Sequence, residues 1–210
     1  MAYSYDELVA WNLREKAYPM VPPQLGPVDY HRAQIERWLW DARDRMRGPI
    51  IEIGAEFEHN YLAWGYHTLN THAYDTPHAN VRPAILGDVQ HLPFRDGSVQ
   101  TIICTEVLEH VPNLFRAVGE IQRVLAPGGA AFIATPFMWP MHDTLEYQDY
   151  WRITEQGYRF MFGGFDAVTV IPVQMRRQSQ FLWNELTKWE VMGSVWETSA
   201  PTGYCVEARK

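Results

Sequence analysis

The sequence predicts a single α/β domain built around a mainly parallel sheet of seven strands. Short apolar runs recur along the chain with helix-compatible stretches between them, which is the pattern of strand–helix–strand units. The runs cover residues 49–55, 65–70, 84–88, 99–106, 130–136, 167–173 and 203–208. A chain of 210 residues, 47% of them hydrophobic, is long enough for one domain with a sizeable core and leaves little room for two.

Two helices are predicted ahead of the first strand. Ser4 is a candidate N-cap, with Glu7 three residues later, for a helix over residues 4–17. The proline-rich stretch 19–27 interrupts the helical pattern, which resumes over residues 29–47. The apolar face of this second helix carries Ile35, Trp38, Leu39 and Ala42. Residues 1–47 are therefore predicted to form an N-terminal helical cap.

Later segments complete the predicted domain. Apolar residues keep a helical period over 114–125, and the PGG turn at 127–129 ends that helix. A tryptophan-bearing, helix-compatible insertion over 174–201 precedes the last strand, and such insertions tend to shape a pocket or an interface. We therefore divide the chain into the cap, a core over 48–173, the insertion and a last strand over 202–210.

Charge and cysteine content restrict the kinds of partner. The net charge is −7 and the Lys and Arg residues are scattered, so the sequence lacks the basic patch that binds nucleic-acid phosphates. Cys104 and Cys205 each lie in an apolar run, which predicts buried free thiols in a reducing compartment. The sequence shows neither a signal peptide nor a run of 18 apolar residues. We expect a soluble cytoplasmic protein with no membrane or nucleic-acid partner.

The strongest functional signal is a series of motifs between residues 86 and 164. It comprises GD at 87–88, HLPFRDGS at 91–98, EVLEHV at 106–111, EIQRVLAPGG at 120–129 and DYWRIT at 149–154. In order and spacing, this series resembles the class I S-adenosylmethionine-dependent methyltransferases over roughly residues 48–173. The resemblance implies a Rossmann-like, doubly wound sheet with an antiparallel last strand. It also implies S-adenosylmethionine as cofactor but says little about the acceptor. We expect a small organic acceptor, methylated at O or N more than at C, in specialised metabolism.

The turn after the first strand is the first predicted cofactor contact. Gly54 lets the backbone approach a ligand closely, and Ala55 follows in the same turn. The resemblance assigns Glu52 to the amino group of the methionine moiety. The stretch EIGAEFEHN has one glycine where the family usually has two or three. Because S-adenosylmethionine carries a positive sulfonium and no phosphate, acidic residues at this turn favour it over a dinucleotide.

The ends of the second and third strands supply further cofactor residues. The resemblance places an acceptor for the ribose hydroxyls at the end of the second strand, where Asn70 fits by register and Asp75 is the alternative. After the third strand, Asp88 corresponds to the acid that meets the adenine amino group. Val89, beside it, is expected to pack against the adenine ring.

The end of the fourth strand combines cofactor and catalytic candidates. Glu106 and His110 complete the predicted cofactor set, although Glu106 or Glu109 could instead cap the following helix and His110 could be structural. Methyl transfer to an unactivated hydroxyl or amine needs a base, for which His142 and then His110 are the candidates. With an acceptor that is already nucleophilic, alignment suffices and neither histidine is catalytic.

The irregular stretch after the fifth strand is predicted to hold the acceptor. Aromatic faces there can bind a sulfonium by cation–π attraction and can stack a flat acceptor. The same stretch could simply be an anchored turn in which Asp149 pairs with Arg152. The predicted substrate-binding residues are Trp139, His142, Tyr150 and Trp151.

We expect no metal site. His67, His72 and His78 lie close together in the sequence but lack regular ligand spacing. No set of Asp and Asn residues marks a magnesium-dependent enzyme of the catechol type.

Two alternatives remain open at this point. The single-glycine turn and Asn70 also suit a non-catalytic Rossmann-like binding or scaffold protein that has lost its cofactor. An NAD-dependent oxidoreductase is disfavoured because the GxGxxG fingerprint is missing. The large aromatics of the cap and the insertion must be buried, either around an apolar acceptor pocket or at a homodimer interface.

Overall fold

The computed structural model describes residues 30–54, 66–70, 84–142, 147–173 and 201–210. Short 3-10 turns at Arg43–Arg45 and Leu108–His110 accompany the regular elements. In chain order these elements are α1 (Tyr30–Ala42), β1 (Ile50–Ile53), β2 (Tyr66–Asn70), β3 (Ile85–Leu86), β4 (Val99–Thr105), α2 (Leu114–Val124), β5 (Leu125–Pro136), α3 (Glu155–Met161), β6 (Ala167–Val173) and β7 (Gly203–Arg209).

The strands form one sheet of seven in the order β3-β2-β1-β4-β5-β7-β6. Strands β1 to β5 are parallel, whereas β7 runs antiparallel to both β5 and β6. The predicted fold class, with its antiparallel last strand, is confirmed. In the central strands Ile53 pairs with Cys104 and Cys104 with Ile133, so β1 and β4 end within one residue of each other, while β5 runs on to Pro136. Their carboxyl ends share one edge of the sheet, where ligands bind in folds of this kind.

The two faces of the sheet bury separate apolar clusters, because successive side chains of a strand point to opposite faces. On one face Ile103 and Phe132 pack in a cluster with Leu39 of α1. On the other face Ile102 packs in a cluster with Ile121 of α2 and with residues of α3. Helices therefore cover both faces, as the doubly wound prediction requires. The two cysteines are buried and free, as expected.

The helix starts are fixed by side-chain caps. Asn113 accepts a hydrogen bond from the backbone N–H of Arg116 at 3.1 Å and so caps α2. The alternative in which Glu106 or Glu109 caps this helix is therefore wrong. Thr154 accepts from the N–H of Gly157 at 3.1 Å and so caps the start of α3.

The strand after α2 begins earlier than the sequence predicts. Leu125 already pairs with Val99, so β5 includes the PGG residues that we predicted as a turn. The pairing of the two strands shifts in register between Val99 and Thr101, which accommodates the two glycines. The backbone N–H of Gly128 donates to the carbonyl of Lys210. Residues 126–129 have no partner in the register with β4, and Gly128 has a φ of +75°, so the PGG stretch keeps a local turn as a bulge within the strand.

Several predicted features lie outside the described residues. They are the helix over 4–17, Ala55, Asp75, the second and third histidines of the 67–78 tract, and almost all of the insertion over 174–201. Among the residues that are described, none of the helices has the length and apolar character needed to cross a bilayer.

Candidate active site

Acidic and amide side chains gather at the carboxyl edge of the parallel strands. Glu52 lies near the end of β1 and Asn70 ends β2, and both are buried. Asp88 follows β3, and Glu106 follows β4. Each of the four neighbouring strands β1 to β4 therefore contributes one hydrogen-bonding side chain at this edge, as the strand ends in the sequence predict.

The turn at Gly54 requires a glycine for two reasons. Its φ is +77°, in the left-handed region that disfavours residues with a Cβ. A Cβ at this position would also stand 2.2 Å from Cγ2 of Val107. The N–H of Gly54 donates to the carbonyl of Leu69 at 2.9 Å. The glycine thus brings the end of β1 into close contact with the residues that follow β4 and leaves its backbone next to the strand ends.

The carboxylate of Asp88 organises the turn that follows β3. Its Oδ1 accepts from the backbone N–H of Gln90 at 2.8 Å, and both oxygens lie 3.1–3.2 Å from Nε2 of the same residue. The next residue, Val89, is buried. Oδ1 thus already has two donors, whereas Oδ2 has one and can accept a second hydrogen bond from a ligand amine. Our sequence analysis did not predict the contacts of Gln90.

Glu106 adopts an unusual backbone conformation, with φ +57°. Its N–H donates to the carbonyl of Ala134 at 2.8 Å, and its Oε1 lies 3.4 Å from Nε2 of His31. The other ring nitrogen of His31 lies 2.9 Å from the hydroxyl of Thr202. Non-glycine residues with positive φ concentrate at functional sites. His31 is buried beside Glu106, and nothing in its local sequence distinguishes it as a site residue.

The stretch after β5 is fastened to the 3-10 turn that follows β4. The carbonyl of Glu109 accepts from the N–H groups of Tyr150 and Trp151, at 2.7 and 3.2 Å. Nδ1 of His110 donates to the carbonyl of Gln148 at 2.7 Å. These backbone bonds place the predicted acceptor-side residues directly over the turn that carries the EVLEH motif.

Three of the predicted acceptor-side aromatics are exposed to solvent. Trp139, Tyr150 and Trp151 each present a large part of their rings. The indole N–H of Trp151 donates to the carbonyl of Val111 at 2.8 Å. The ring of Trp139 lies 5.3 Å from that of His31, measured between centroids. The rings of Trp139 and Trp151 are thus held by contacts within the site while a large part of each stays exposed.

The DYWR motif forms an ion pair that also holds the predicted base. Arg152 donates to both oxygens of Asp149, at 2.5 and 2.6 Å. Oδ2 of Asp149 accepts from the backbone N–H of His142 at 3.0 Å and lies 3.2 Å from its Nδ1. The hydrogen bonds from Arg152 lower the pKa of Asp149 to about 2. The anchored turn and the placement of His142 are therefore parts of one arrangement.

The two candidate bases contact each other and both lie close to a buried carboxyl group. Nε2 of His110 lies 3.7 Å, and Nε2 of His142 4.0 Å, from Oε1 of Glu109. Burial raises the pKa of Glu109 well above its ordinary value, and the neighbouring Glu106 raises it further. Burial also lowers the pKa of His110, which favours the neutral imidazole. The sequence offered Glu109 only as a possible helix cap, because its partner His142 is distant in the chain.

Sequence comparison agrees with this architecture. Residues 54–133 match the family of the methyltransferase domain. An uncharacterized chloroplastic methyltransferase of Arabidopsis thaliana is 34% identical over 89 residues, which make up 42% of this chain and 24% of that protein. The sterol 24-C-methyltransferase of Schizosaccharomyces pombe is 37% identical over 59 residues, 28% of this chain and 15% of that enzyme. The chain thus spans less than a quarter of the length of either relative.

Solved structures share the whole architecture at low sequence identity. An S-adenosylmethionine-dependent methyltransferase from Archaeoglobus fulgidus has a TM-score of 0.61 at 11% identity, over 86% of this chain and 94% of that one. A possible histamine N-methyltransferase from Thermotoga maritima has a TM-score of 0.55 at 14% identity, over 98% and 95% of the two chains. A Haloferax volcanii protein solved with the Trm112 methyltransferase activator has a TM-score of 0.53 at 16% identity, over 100% and 98%. At these identities the likeness shows the fold alone.

Proposed function

We propose that this chain, whose sequence and fold are those of the class I S-adenosylmethionine-dependent methyltransferases, transfers a methyl group to a small organic acceptor. The observation that carries the proposal is the edge formed by Glu52, Asn70, Asp88 and Glu106 around the Gly54 turn. Four strand ends in a row present acceptors of hydrogen bonds. This set suits a ligand that carries an ammonium group, ribose hydroxyls, an adenine amine and a positive sulfonium.

Each strand end has a proposed role in binding the cofactor. Glu52 takes the ammonium group of the methionine moiety, and Asn70 takes the ribose hydroxyls. Asp88 takes the adenine amine with the hydrogen-bonding capacity that Gln90 leaves unused. When bound, S-adenosylmethionine supplies an electrophilic methyl group on a positively charged sulfur. A glycine at position 54 allows the backbone to approach this ligand without a side chain between them.

The chain's own contribution to the reaction is alignment and, for an unactivated acceptor, removal of a proton. Nδ1 of His142 lies beside the Asp149 carboxylate, so the imidazole is held with Nε2 turned toward Glu109 and His110. A fixed Nε2 lone pair can accept a proton from an acceptor hydroxyl or amine. The exposed faces of Trp139, Tyr150 and Trp151 provide the surface on which a flat acceptor can stack.

The acceptor is proposed to be a small organic molecule, methylated at O or N more than at C, in specialised metabolism. The net charge of −7 and the scattered basic residues disfavour a nucleic-acid acceptor. The names of the relatives include a sterol C-methyltransferase and a possible histamine N-methyltransferase, and those substrates belong to those proteins. The aromatics of the insertion, which would decide between an acceptor pocket and a dimer interface, lie outside the described residues.

Calorimetry with S-adenosylhomocysteine tests the cofactor assignment. We expect binding with one ligand per chain, and Asp88→Ala should weaken it by about 1–3 kcal/mol because the ligand amine loses its partner. Asp166→Ala removes an exposed carboxylate elsewhere on the surface and is the matched control. Equal affinity of the Asp88 variant and the unmodified protein would contradict the role of Asp88.

A non-catalytic scaffold is the second candidate, and the single-glycine turn followed by Asn70 favours it. Under this alternative the chain keeps the fold without a working cofactor site. The same titration separates the two functions, because a scaffold would show no heat of binding even at millimolar S-adenosylhomocysteine.

A further inference from the structure

Three side chains within the candidate active site form a close cluster that the methyl-transfer scheme does not require. One carboxylate oxygen of Glu109, one ring nitrogen of His110 and one ring nitrogen of His142 all lie within 4.8 Å of one another. Glu109 is completely buried, with 0% of its side chain exposed. Neither of its carboxylate oxygens has a hydrogen-bond partner among the described residues. A buried carboxyl without partners costs several kcal/mol of solvation unless something offsets it.

The contacts of the two Nδ1 atoms determine which ring nitrogen of each histidine carries the proton. Nδ1 of His110 lies 2.7 Å from the carbonyl oxygen of Gln148, which can only accept. Nδ1 of His142 lies between the carboxylate of Asp149 and the carbonyl of Pro140, each at 3.2 Å, and both of these also only accept. Both Nδ1 atoms therefore carry the proton. In the neutral ring each Nε2 then has a free lone pair, and both are turned toward Glu109.

The distances suit a shared cation. Bonds of about 2.0–2.2 Å from a transition-metal ion to nitrogen and oxygen allow two ligands of one ion to be up to about 4.4 Å apart. The two Nε2 atoms lie 3.7 and 4.0 Å from Oε1 of Glu109, too far for hydrogen bonds and within this limit. Both distances from the carboxylate to an imidazole therefore fit a shared ion, and all three ligand atoms lie within 4.8 Å of one another.

We propose that Glu109, His110 and His142 bind one divalent transition-metal ion. Two imidazoles and one carboxylate suit Zn²⁺, Fe²⁺, Co²⁺ or Mn²⁺, whereas Mg²⁺ and Ca²⁺ prefer oxygen ligands alone. Three protein ligands leave at least one coordination position for water. That position could equally take an oxygen of the acceptor, a role that rests on the proposed function. A bound metal takes up the Nε2 lone pair of His142, so in the metal-bound protein this nitrogen is a ligand and does not act as the base.

The surrounding contacts are those of a metal site. Histidine ligands of metals almost always donate their second ring N–H to a carboxylate or a backbone carbonyl, which orients the ring. His110 makes such a bond to Gln148, and His142 makes one with Asp149. Arg152 in turn fixes the carboxylate of Asp149 through two hydrogen bonds. Asp149 and Arg152 are positioning residues in this arrangement.

This proposal departs from our sequence-based expectation that the chain has no metal. The expectation rested on the histidines at 67–78, of which the structure describes only His67, an exposed residue of β2. His110 and His142 lie 32 residues apart, with a helix and a strand between them, so no ligand spacing is visible in the sequence. The backbone bonds between Glu109 and the stretch 148–151 bring them together.

Metal titration of the chelator-treated protein tests the proposal. The full chain is stripped with EDTA, dialysed, and titrated separately with ZnCl₂, MnCl₂ and CoCl₂ in a calorimeter. We expect one ion per chain for at least one of these metals, and a Co²⁺ absorption spectrum typical of nitrogen ligation. Magnesium chloride should bind far more weakly. Absence of stoichiometric binding by all three transition metals would overturn the proposal and leave Glu109 as a buried, protonated acid.

Variants assign the binding to these residues. Glu109→Gln and His142→Ala should each weaken binding of the metal by more than about 100-fold, since each removes a direct ligand. His91→Ala removes an exposed histidine outside the cluster and should leave binding unchanged. His142 is partly exposed, so its variant is expected to fold even if substitution of the buried Glu109 prevents folding, and circular dichroism checks both. Unchanged metal affinity in folded His142→Ala would contradict the site.

A parallel titration separates the test of the metal site from the test of the cofactor site. S-adenosylhomocysteine is titrated into the same stripped protein, without metal, in a parallel experiment. Cofactor binding without metal binding would overturn the metal site alone. Metal binding without cofactor binding would support the site and contradict the proposed function.

Discussion

Substituting alanine for Gly54 tests how the strand ends are packed. A residue with a Cβ at φ +77° costs about 1–2 kcal/mol through its backbone alone. The new Cβ would also lie 2.2 Å from Cγ2 of Val107, more than 1 Å inside van der Waals contact. Overpacking of this kind costs about 1–3 kcal/mol. Gly54→Ala should therefore lower the free energy of unfolding by about 2–5 kcal/mol, the sum of the two contributions.

Gly128 provides a matched control for the backbone contribution. Its φ is +75°, nearly that of Gly54, and no heavy atom of the described part lies within 4 Å of a Cβ built there. Gly128→Ala should therefore cost only about 1–2 kcal/mol. Urea denaturation of both variants, followed by circular dichroism, measures the difference, provided that the slopes of the transitions stay equal.

A second-site variant isolates the contact with Val107. In Gly54→Ala combined with Val107→Ala, the clashing methyl group is absent, so the double variant should lose less stability than the two single losses added together. The backbone contribution of Gly54 would remain. If Gly54→Ala cost no more than Gly128→Ala, the end of β1 would not be packed against Val107, and our account of this turn would be refuted.

Two further predictions concern the support of the site. Tyr158→Phe removes the hydroxyl that is hydrogen-bonded to Thr135 in the interior, and should lower the free energy of unfolding by about 1–3 kcal/mol because Thr135 is left unpaired. In urea denaturation, the double variant Tyr158→Phe, Thr135→Val should regain part of the lost stability. A Tyr158→Phe variant as stable as the unmodified protein would contradict the buried hydrogen bond between Tyr158 and Thr135. Hydrogen bonds from Arg123 lower the pKa of Glu120 below its ordinary 4.5. The ionised carboxylate of Glu120 therefore stabilises the fold above pH 4.5. This contribution is lost as the pH falls through the pKa of the folded state. The stability difference between the unmodified protein and Glu120→Gln should accordingly shrink in thermal melts below pH 4.5, and a difference that grows there would contradict the pairing.

Local patterns predict most of the core elements. The periodic residues of α2 and the Thr154 cap of α3 lie within a few residues of their partners, so the sequence carries the information directly. The strand 167–173 has the predicted bounds of β6 for the same reason. The early start of β5 differs because it depends on pairing with β4 and β7, which are distant in sequence.

The candidate site also combines residues that local sequence patterns predict with contacts that depend on the fold. The cofactor candidates at the strand ends were predictable because parallel strands place their carboxyl ends at one edge. Glu106 and His31 lie 75 residues apart, and Glu109 and His142 meet only because backbone bonds fasten one irregular stretch to another. Contacts of this kind depend on tertiary geometry. No residue spacing in the sequence predicts them.

A crystal structure of the protein with S-adenosylhomocysteine shows directly whether the strand ends bind the cofactor. We predict that the ligand lies across the carboxyl ends of β1 to β4, with its adenine amine within hydrogen-bonding distance of Asp88 and its ammonium group near Glu52. Its sulfur should face the stretch that carries His142. A ligand bound elsewhere, or a strand edge that stays empty at saturating ligand, would contradict the proposed cofactor site.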